Sequence, residues 1–229
     1  MRAQVSLENV KKAAILLSDV ALKTPLMRNE NLAQKFSSNI VLKREDLQQV
    51  RSYKIRGAYN KIASLSQDQL NRGVVCASAG NHAQGVAFSC FKLKVKGVVF
   101  MPTPTPKQKI EQVKMFGGAF IEIVITGDTF DDASFSAKEY CADNKMSFVH
   151  PFDDEKVIEG QATIALEILE QSKDEIDYLF LPVGGGGVAA GMSSIFNELS
   201  PNTKVIGIEP SGAPSMSTSL ENGVNVKLD

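Results

Sequence analysis

Residues 73–87 read Gly-Val-Val-Cys-Ala-Ser-Ala-Gly-Asn-His-Ala-Gln-Gly-Val-Ala, GVVCASAGNHAQGVA, and this stretch decides the fold class. It opens with an apolar run too short for a helix and passes through small residues into helix-length sequence. The rhythm repeats downstream: KGVVFM at 96–101, a helix from about Lys107, AFIEIVI at 119–125, a helix from about Thr129, then SFVHPF at 147–152. Short strands that are apolar on both sides, separated by helix-length segments, imply parallel βαβ units covered on both faces. The alternation resumes with a helix over 156–171, YLFLPV at 178–183, a helix from about Val188 to Leu199, and KVIGIEP at 204–210.

Upstream, SLENVKKAAILLSDV at 6–20 carries a serine cap and apolar positions at helical spacing, and TPL at 24–26 ends that element. IVLKRED at 40–46 reads as a strand, and residues 54–70 read as one helix. The expectation is an α/β protein with two lobes: 1–72 together with 150–229 as the large lobe, and 73–149 as a small inserted lobe.

Composition excludes several classes. The 229 residues are 43% hydrophobic and 22% charged, with a formal net charge of -1, so there is no global attraction to nucleic acid or anionic membrane. A small-molecule partner is the default. Cys76, Cys90 and Cys141 are odd in number and widely spaced, which suggests buried thiols rather than a disulfide framework or a zinc knuckle. No apolar run approaches the ~18 residues of a membrane span. The N-terminus, MRAQVSLENVKKAA, lacks the apolar core of a signal peptide. A cytoplasmic protein is expected.

Three short motifs carry chemistry. LPVGGGGVAAG at 181–191 runs from a strand into a helix, where bare backbone amides converge on an anion and side chains would block its approach. Phosphate is the natural guest. Gly184, Gly186 and Ala189 also satisfy GxGxxA, with Glu209 twenty residues beyond Ala189, so a dinucleotide is a rival on this segment alone. The absence of GK[ST] after the glycines removes the Walker loop. CASAGNHAQGVA at 76–87 is a second strand-to-helix crossing, whose first-turn amides can receive a carboxylate or simply be capped by Ser78 or Asn81. His82 and His150, the two histidines, read as structural rather than as proton carriers. The third motif, RSYKIRGA at 51–58, sets Lys54 behind an aromatic and between arginines. An aromatic neighbour and nearby cations favour the neutral amine that attacks a carbonyl.

SYKIRGA, SAGNHAQG and PVGGGG, in this order, resemble the signature elements of the fold-type II pyridoxal-phosphate enzymes, the tryptophan synthase β-like group. Within it the chain looks most like the threonine and serine dehydratases. TPL, LKREDLQ and EPSGA extend the resemblance over essentially all 229 residues, and LKREDLQQVRSYKIRGA is closer to the biosynthetic dehydratases than to the catabolic ones. The dinucleotide reading recedes accordingly.

The resemblance implies two parallel-sheet lobes and pyridoxal 5'-phosphate as cofactor. Lys54 would be its covalent anchor, through a Schiff base, and then the base at the substrate's Cα. Tyr53 would lie beside the cofactor ring, Asn81 would bond its 3'-oxygen, and Gly184, Gly185, Gly186 and Gly187 would hold its phosphate. Ser78, Gly80, Asn81 and His82 would receive the amino-acid substrate's carboxylate. The implied reaction turns L-threonine into 2-oxobutanoate and ammonia, and L-serine into pyruvate, feeding isoleucine biosynthesis. Ala79 stands where relatives that racemise serine carry a second serine, so elimination is favoured over racemisation.

Relatives commonly run on for about another hundred residues, a length that suits two α/β lobes, and biosynthetic members add an isoleucine-sensing domain. The expectation is therefore of an incomplete large lobe, and of a homo-oligomer when intact. β-Replacement, as in cysteine synthesis, and a catalytically incomplete cofactor-binding fragment are the alternatives. No metal site is assigned: Glu209 and Ala213 match positions that ligate a divalent cation in some relatives, but Ser215 falls where those have an acidic residue.

Overall fold

The computed structural model describes residues 5–226; the outermost residues of the N-terminal stretch and of the closing VKLD lie outside them. Helix α1 (Leu7–Leu17) starts where Ser6 Oγ accepts the Asn9 amide. Strand β1 (Leu26–Arg28), helix α2 (Glu30–Phe36) and strand β2 (Val41–Lys43) follow, with β1 and β2 paired antiparallel. The sequence reading finds β2 and misses β1, which at three residues shows no periodicity.

The segment expected as one helix over 54–70 is two, α3 (Lys54–Ala63) and α4 (Gln67–Arg72). Ser66 is extended and forms a capping box with Gln69, restarting the chain in a new direction.

Four parallel strands make the main sheet: β3 (Val74–Ala77), β4 (Gly97–Met101), β5 (Ile121–Ile125) and β6 (Ser147–Phe148), in the order β5-β4-β3-β6. The crossovers are α5 (Asn81–Leu93), α6 (Lys107–Gly117) and α7 (Phe130–Asp143). Val74, Cys76, Val99 and Met101 pack with Ala83, Val86, Cys90 and Val113 of α5 and α6. Val75, Ala77, Val98 and Phe100 pack with Ala137 and Cys141 of α7. The central strands are thus covered on both faces, as their unbroken apolar runs require. All three cysteines are buried free thiols.

Helix α8 (Glu155–Gln171), strand β7 (Tyr178–Pro182), helix α9 (Gly187–Leu199), strand β8 (Lys204–Ile208) and helix α10 (Ser215–Asn222) complete the described chain. β7 and β8 pair in parallel. Leu179 and Leu181 pack with Ile164, Ile168, Met192 and Phe196 of α8 and α9. The other face of β7 is bare, with Tyr178 and Phe180 51% and 62% exposed. Among the described residues β7 is therefore covered on one face, and its burial alternates.

Helix α3 crosses α8 at two glycines. A Cβ on Gly160 would stand 2.7 Å from Gly57 Cα, and one on Gly57 would stand 2.7 Å from Val157 O. Beside the crossing, Arg56 is 1% exposed. Its guanidinium donates to both carboxylate oxygens of Glu45, at 2.9 Å each, and to both of Glu167, at 2.6 and 3.0 Å. Lys43 supplies Glu167 with a second cation at 2.5 Å, so two cations balance two carboxylates. Removing one member leaves uncompensated charge in a dry place. Arg56→Met, which leaves Glu45 without a cation and Glu167 with Lys43 alone, is expected to cost about 3–5 kcal/mol, measured as a lowered urea midpoint. An unchanged midpoint would show that water reaches the carboxylates.

Candidate active site

The chain enters α3 through Arg51, a non-glycine residue at φ 57°, whose amide donates to Gln48 O at 2.8 Å. Such a left-handed residue is costly and here turns the chain into the helix. Lys54 is the first residue of α3. Its Nζ donates to Pro151 O at 2.7 Å and lies 5.7 Å from the Tyr53 ring centroid. Burial pushes its pKa below the ordinary lysine value. The flanking cations expected to do this do not: Arg56 is turned into its carboxylate pair, and Arg51 is exposed.

The second motif is brought up by Gly85. A Cβ there would sit 3.0 Å from the Lys54 carbonyl, so its absence lets α5 rest on the start of α3. Ser78 Oγ accepts the Gly80 amide at 3.1 Å, and the Ser78 amide donates to Phe100 O. Gly80 is the N-cap of α5, without a side-chain cap, and space around its Cα is open. Asn81 is exposed at the first helical position, and Ala79 is half-buried. His82 is buried, and its Nε2 lies 2.9 Å from Val149 O. A carbonyl only accepts, so the proton sits on Nε2, and Nδ1 is bare and unpartnered. Burial first, and then the charges of Lys54 and His150, depress this ring to about 3. Ser52 Oγ and the Gln161 side-chain amide are also buried without protein partners.

The glycine loop leaves β7 and enters α9. Gly186 has φ 83°, which only glycine adopts without strain, and α9 begins with no side-chain cap, leaving its first-turn amides free of one. Nothing approaches within 4 Å of a Cβ on Gly184. On Gly185 a Cβ would strike the Phe152 ring, and on Gly187 it would lie 2.6 Å from Phe152 O. The Met216 methyl lies beside Gly186.

All three motifs thus meet the segment Val149–Phe152, beyond β6: Val149 O faces His82, Pro151 O takes Lys54, and Phe152 backs the glycine loop. Two of the motifs follow the C-terminal ends of β3 and β7, the edge where parallel sheets bind ligands, and the third opens α3 beside them. The sequence reading singled out only His150 in this segment and missed Val149, Pro151 and Phe152, as well as Gly85 and Met216. SFVHPF closing a parallel strand carried the signal.

Glu209 is engaged within its own chain. Its carboxylate accepts the Met216 and Ser217 amides at 2.9 and 2.8 Å and so caps α10. Those bonds hold its carboxyl below the usual range. Its oxygens are thereby turned to the α10 amides rather than to a ribose or, with Ala213, to a cation.

A glycine-floored helix start, a half-buried lysine amine and a second open helix start lie around one strand end, an arrangement whose amides can take anions and whose amine can take a carbonyl. The chain belongs to the pyridoxal-phosphate dependent enzyme family, whose model matches residues 17–229. It is 51% identical over 226 residues to the biosynthetic L-threonine dehydratase IlvA of Halalkalibacterium halodurans, covering 99% of this chain and 54% of that protein. The corresponding protein of Bacillus subtilis is 51% identical over 225 residues, covering 98% and 53%. The processed form of threonine deaminase isoform 2 from Solanum lycopersicum superposes with a TM-score of 0.90 at 43% identity, covering 98% of this chain and 66% of that one. Maize serine racemase superposes at 0.92 with 28% identity, covering 98% and 67%. The chain spans about half the length of the curated relatives it matches.

The residues present fit the cofactor: an uncapped helix start suits a phosphate dianion, the open face of Gly184 admits it, and Lys54 offers a primary amine. Two predictions follow from this geometry. Gly187→Ala drives a methyl into the Phe152 backbone and is expected to cost about 1–3 kcal/mol in urea unfolding, whereas Gly184→Ala, with open space, leaves the midpoint near the parent value. His82 stays neutral when folded, so between about 6.5 and about 3 only the unfolded chain takes up its proton, and stability falls as pH drops through that window. NMR should show its ring signals not titrating above about pH 4 in the folded protein; a midpoint near neutrality would contradict the buried, bare Nδ1.

Proposed function

We propose that the protein deaminates L-threonine, with L-serine as a second substrate, releasing ammonia and 2-oxobutanoate or pyruvate. The observation that carries this reading is the convergence of the Lys54 amine, the glycine loop and the α5 start on Val149–Phe152. Half-identity to proteins named biosynthetic L-threonine dehydratases supports threonine as the substrate and isoleucine synthesis as the setting.

In this reading Gly184, Gly185, Gly186 and Gly187, with the first-turn amides of α9, bind the cofactor's phosphate. Lys54 holds the cofactor through its ε-amine, Tyr53 flanks the cofactor ring, and Asn81 bonds the ring's 3'-oxygen. The start of α5, from Ser78 through Gly80 and Asn81 to His82, binds the substrate's carboxylate with its amides and orients Cα. When bound, pyridoxal phosphate supplies an electron sink for negative charge at Cα. The Lys54 amine would take the Cα proton, that proton would leave with the β-hydroxyl as water, and a second water would hydrolyse the dehydrated amino acid to ammonia and the 2-oxo acid. Burial around Lys54 favours the neutral amine this step needs. Ala79 has no exchangeable proton to return to the opposite face of Cα, which favours elimination.

The same reading takes 73–149 as the small inserted lobe and 1–72 with 150–229 as the large one. It puts the protein in the cytoplasm as a homo-oligomer acting on a free amino acid. A formal charge of -1 supports a small-molecule substrate. Among the described residues no helix is long and apolar enough to cross a membrane.

The test is 2-oxobutanoate release from L-threonine by the full-length protein with pyridoxal phosphate. Lys54→Ala is expected to lower kcat by at least ~10³-fold, the scale on which covalent catalysis fails without its nucleophile. Borohydride reduction of the loaded protein should place the cofactor's mass on the Lys54 peptide. Label on another lysine, or no oxo acid from loaded protein, would overturn the proposal.

A further inference from the structure

The segment Val149–Phe152 lies outside regular structure beyond β6, yet it contacts every part of the site. Its start is fixed by the sheet, since the Val149 amide donates to Val75 O at 2.8 Å. Its far end is fixed by one imidazole. His150 Nδ1 lies 3.3 Å from the Phe152 amide and 2.7 Å from the Asp153 amide. Amides only donate, so Nδ1 must be bare and the ring's proton sits on Nε2. The ring stacks edge-on against Phe152 at 4.7 Å between centroids and faces Phe148 at 6.2 Å. The turn over 151–153 is therefore wrapped around a neutral histidine.

Both functional contacts leave from inside that turn. Pro151 O takes the Lys54 amine, and Phe152 presses its ring on Gly185 and its carbonyl on Gly187. We infer that His150 is a positioning residue for the cofactor site: its Nδ1 sets the turn that fixes the Lys54 amine relative to the glycine loop. The inference rests on the cofactor reading above and extends it to a residue that touches neither the lysine nor the glycines through a hydrogen bond.

The surroundings keep this ring able to accept. Burial lowers its pKa most, Lys138 and Lys54 act in the same direction, and Asp153 and Asp154 oppose them. An imidazolium would carry protons on both nitrogens and would repel the two amides that now donate to it.

The test compares His150→Leu, which keeps bulk and removes the acceptor, with His150→Asn, whose Oδ1 can stand near the place of Nδ1. In cofactor-free full-length protein, hydrogen exchange at the Asp153 amide should speed up by about ten-fold or more in the leucine variant and stay near parent in the asparagine variant. Titration with pyridoxal phosphate, followed by visible absorbance and by borohydride trapping on Lys54, should show about a ten-fold weaker Kd for leucine and recovery to about three-fold of parent for asparagine. Leucine equal to parent, or asparagine as weak as leucine, overturns the inference. If the leucine variant fails to fold, the asparagine variant decides alone: a Kd near parent supports the inference, and about ten-fold weakening overturns it. A parent protein that takes no cofactor on Lys54 sinks the cofactor reading instead, so the two failures are distinct.

Discussion

The carbonyl oxygens of Val149 and Pro151 are the point on which the candidate site depends. Two residues apart at the end of one strand, they accept from a histidine of α5 and from the lysine that opens α3. A hydrogen bond to a backbone carbonyl ties each side chain to the sheet itself and not to another mobile side chain. The position of Lys54 relative to the start of α5 is therefore inherited from the pairing of β6 with β3. This is the economy of placing a site at the carboxyl ends of parallel strands: helix starts and strand ends meet there by topology.

Holding an amine at one carbonyl also requires its helix to arrive in register. Helix α3 achieves this by lying on α8 with glycines on both sides of the contact, and on α5 through Gly85. The Arg56 fork, with Glu45 on one side and Glu167 on the other, bars rotation of α3 about its own axis, because a bidentate pair accepts little angular error. Asn60, one turn further on, bonds Lys156 O at 2.7 Å, and Lys61 pairs with Asp154 at 2.6 Å. Charge is thus spent on orientation in the helix whose first residue carries the amine.

Much of this was legible in the sequence, for physical reasons that differ between elements. β3 and β4 announce themselves because strands buried on both faces cannot hide their composition. The glycine loop and the SAGNHAQG stretch announce themselves because open helix starts need small residues, and few other places tolerate Gly-Gly-Gly-Gly. What stayed hidden was pairwise. Nothing in the letters of RSYKIRGA says that Arg56 faces two glutamates 11 and 111 residues away. The break in the predicted helix over 54–70 depended on Ser66 and Gln69 capping each other, a signal outweighed by helical spacing on both sides. YLFLPV reads as a strand and is one, but its letters do not tell that alternate residues stand uncovered among the described residues.

The electrostatics of Lys54 bring these strands together. Neighbouring arginines would depress a lysine's pKa by repulsion, an effect that salt screens. Burial depresses it by denying the ammonium its hydration, and that survives salt but depends on packing staying closed. In this chain the second mechanism operates, and the enclosing surfaces come from separate elements: α5 through Gly85, the 151–152 turn, and Tyr53 of the chain itself. The Pro151 carbonyl does not cancel the effect, because a neutral amine still has hydrogens to donate to it. The contact therefore holds Nζ in place in either protonation state, while the tightness of the surrounding helices sets which state prevails. Control of the amine's reactivity is in this way a property of how α3, α5 and the end of β6 close together, and Arg56 serves the closure rather than the charge.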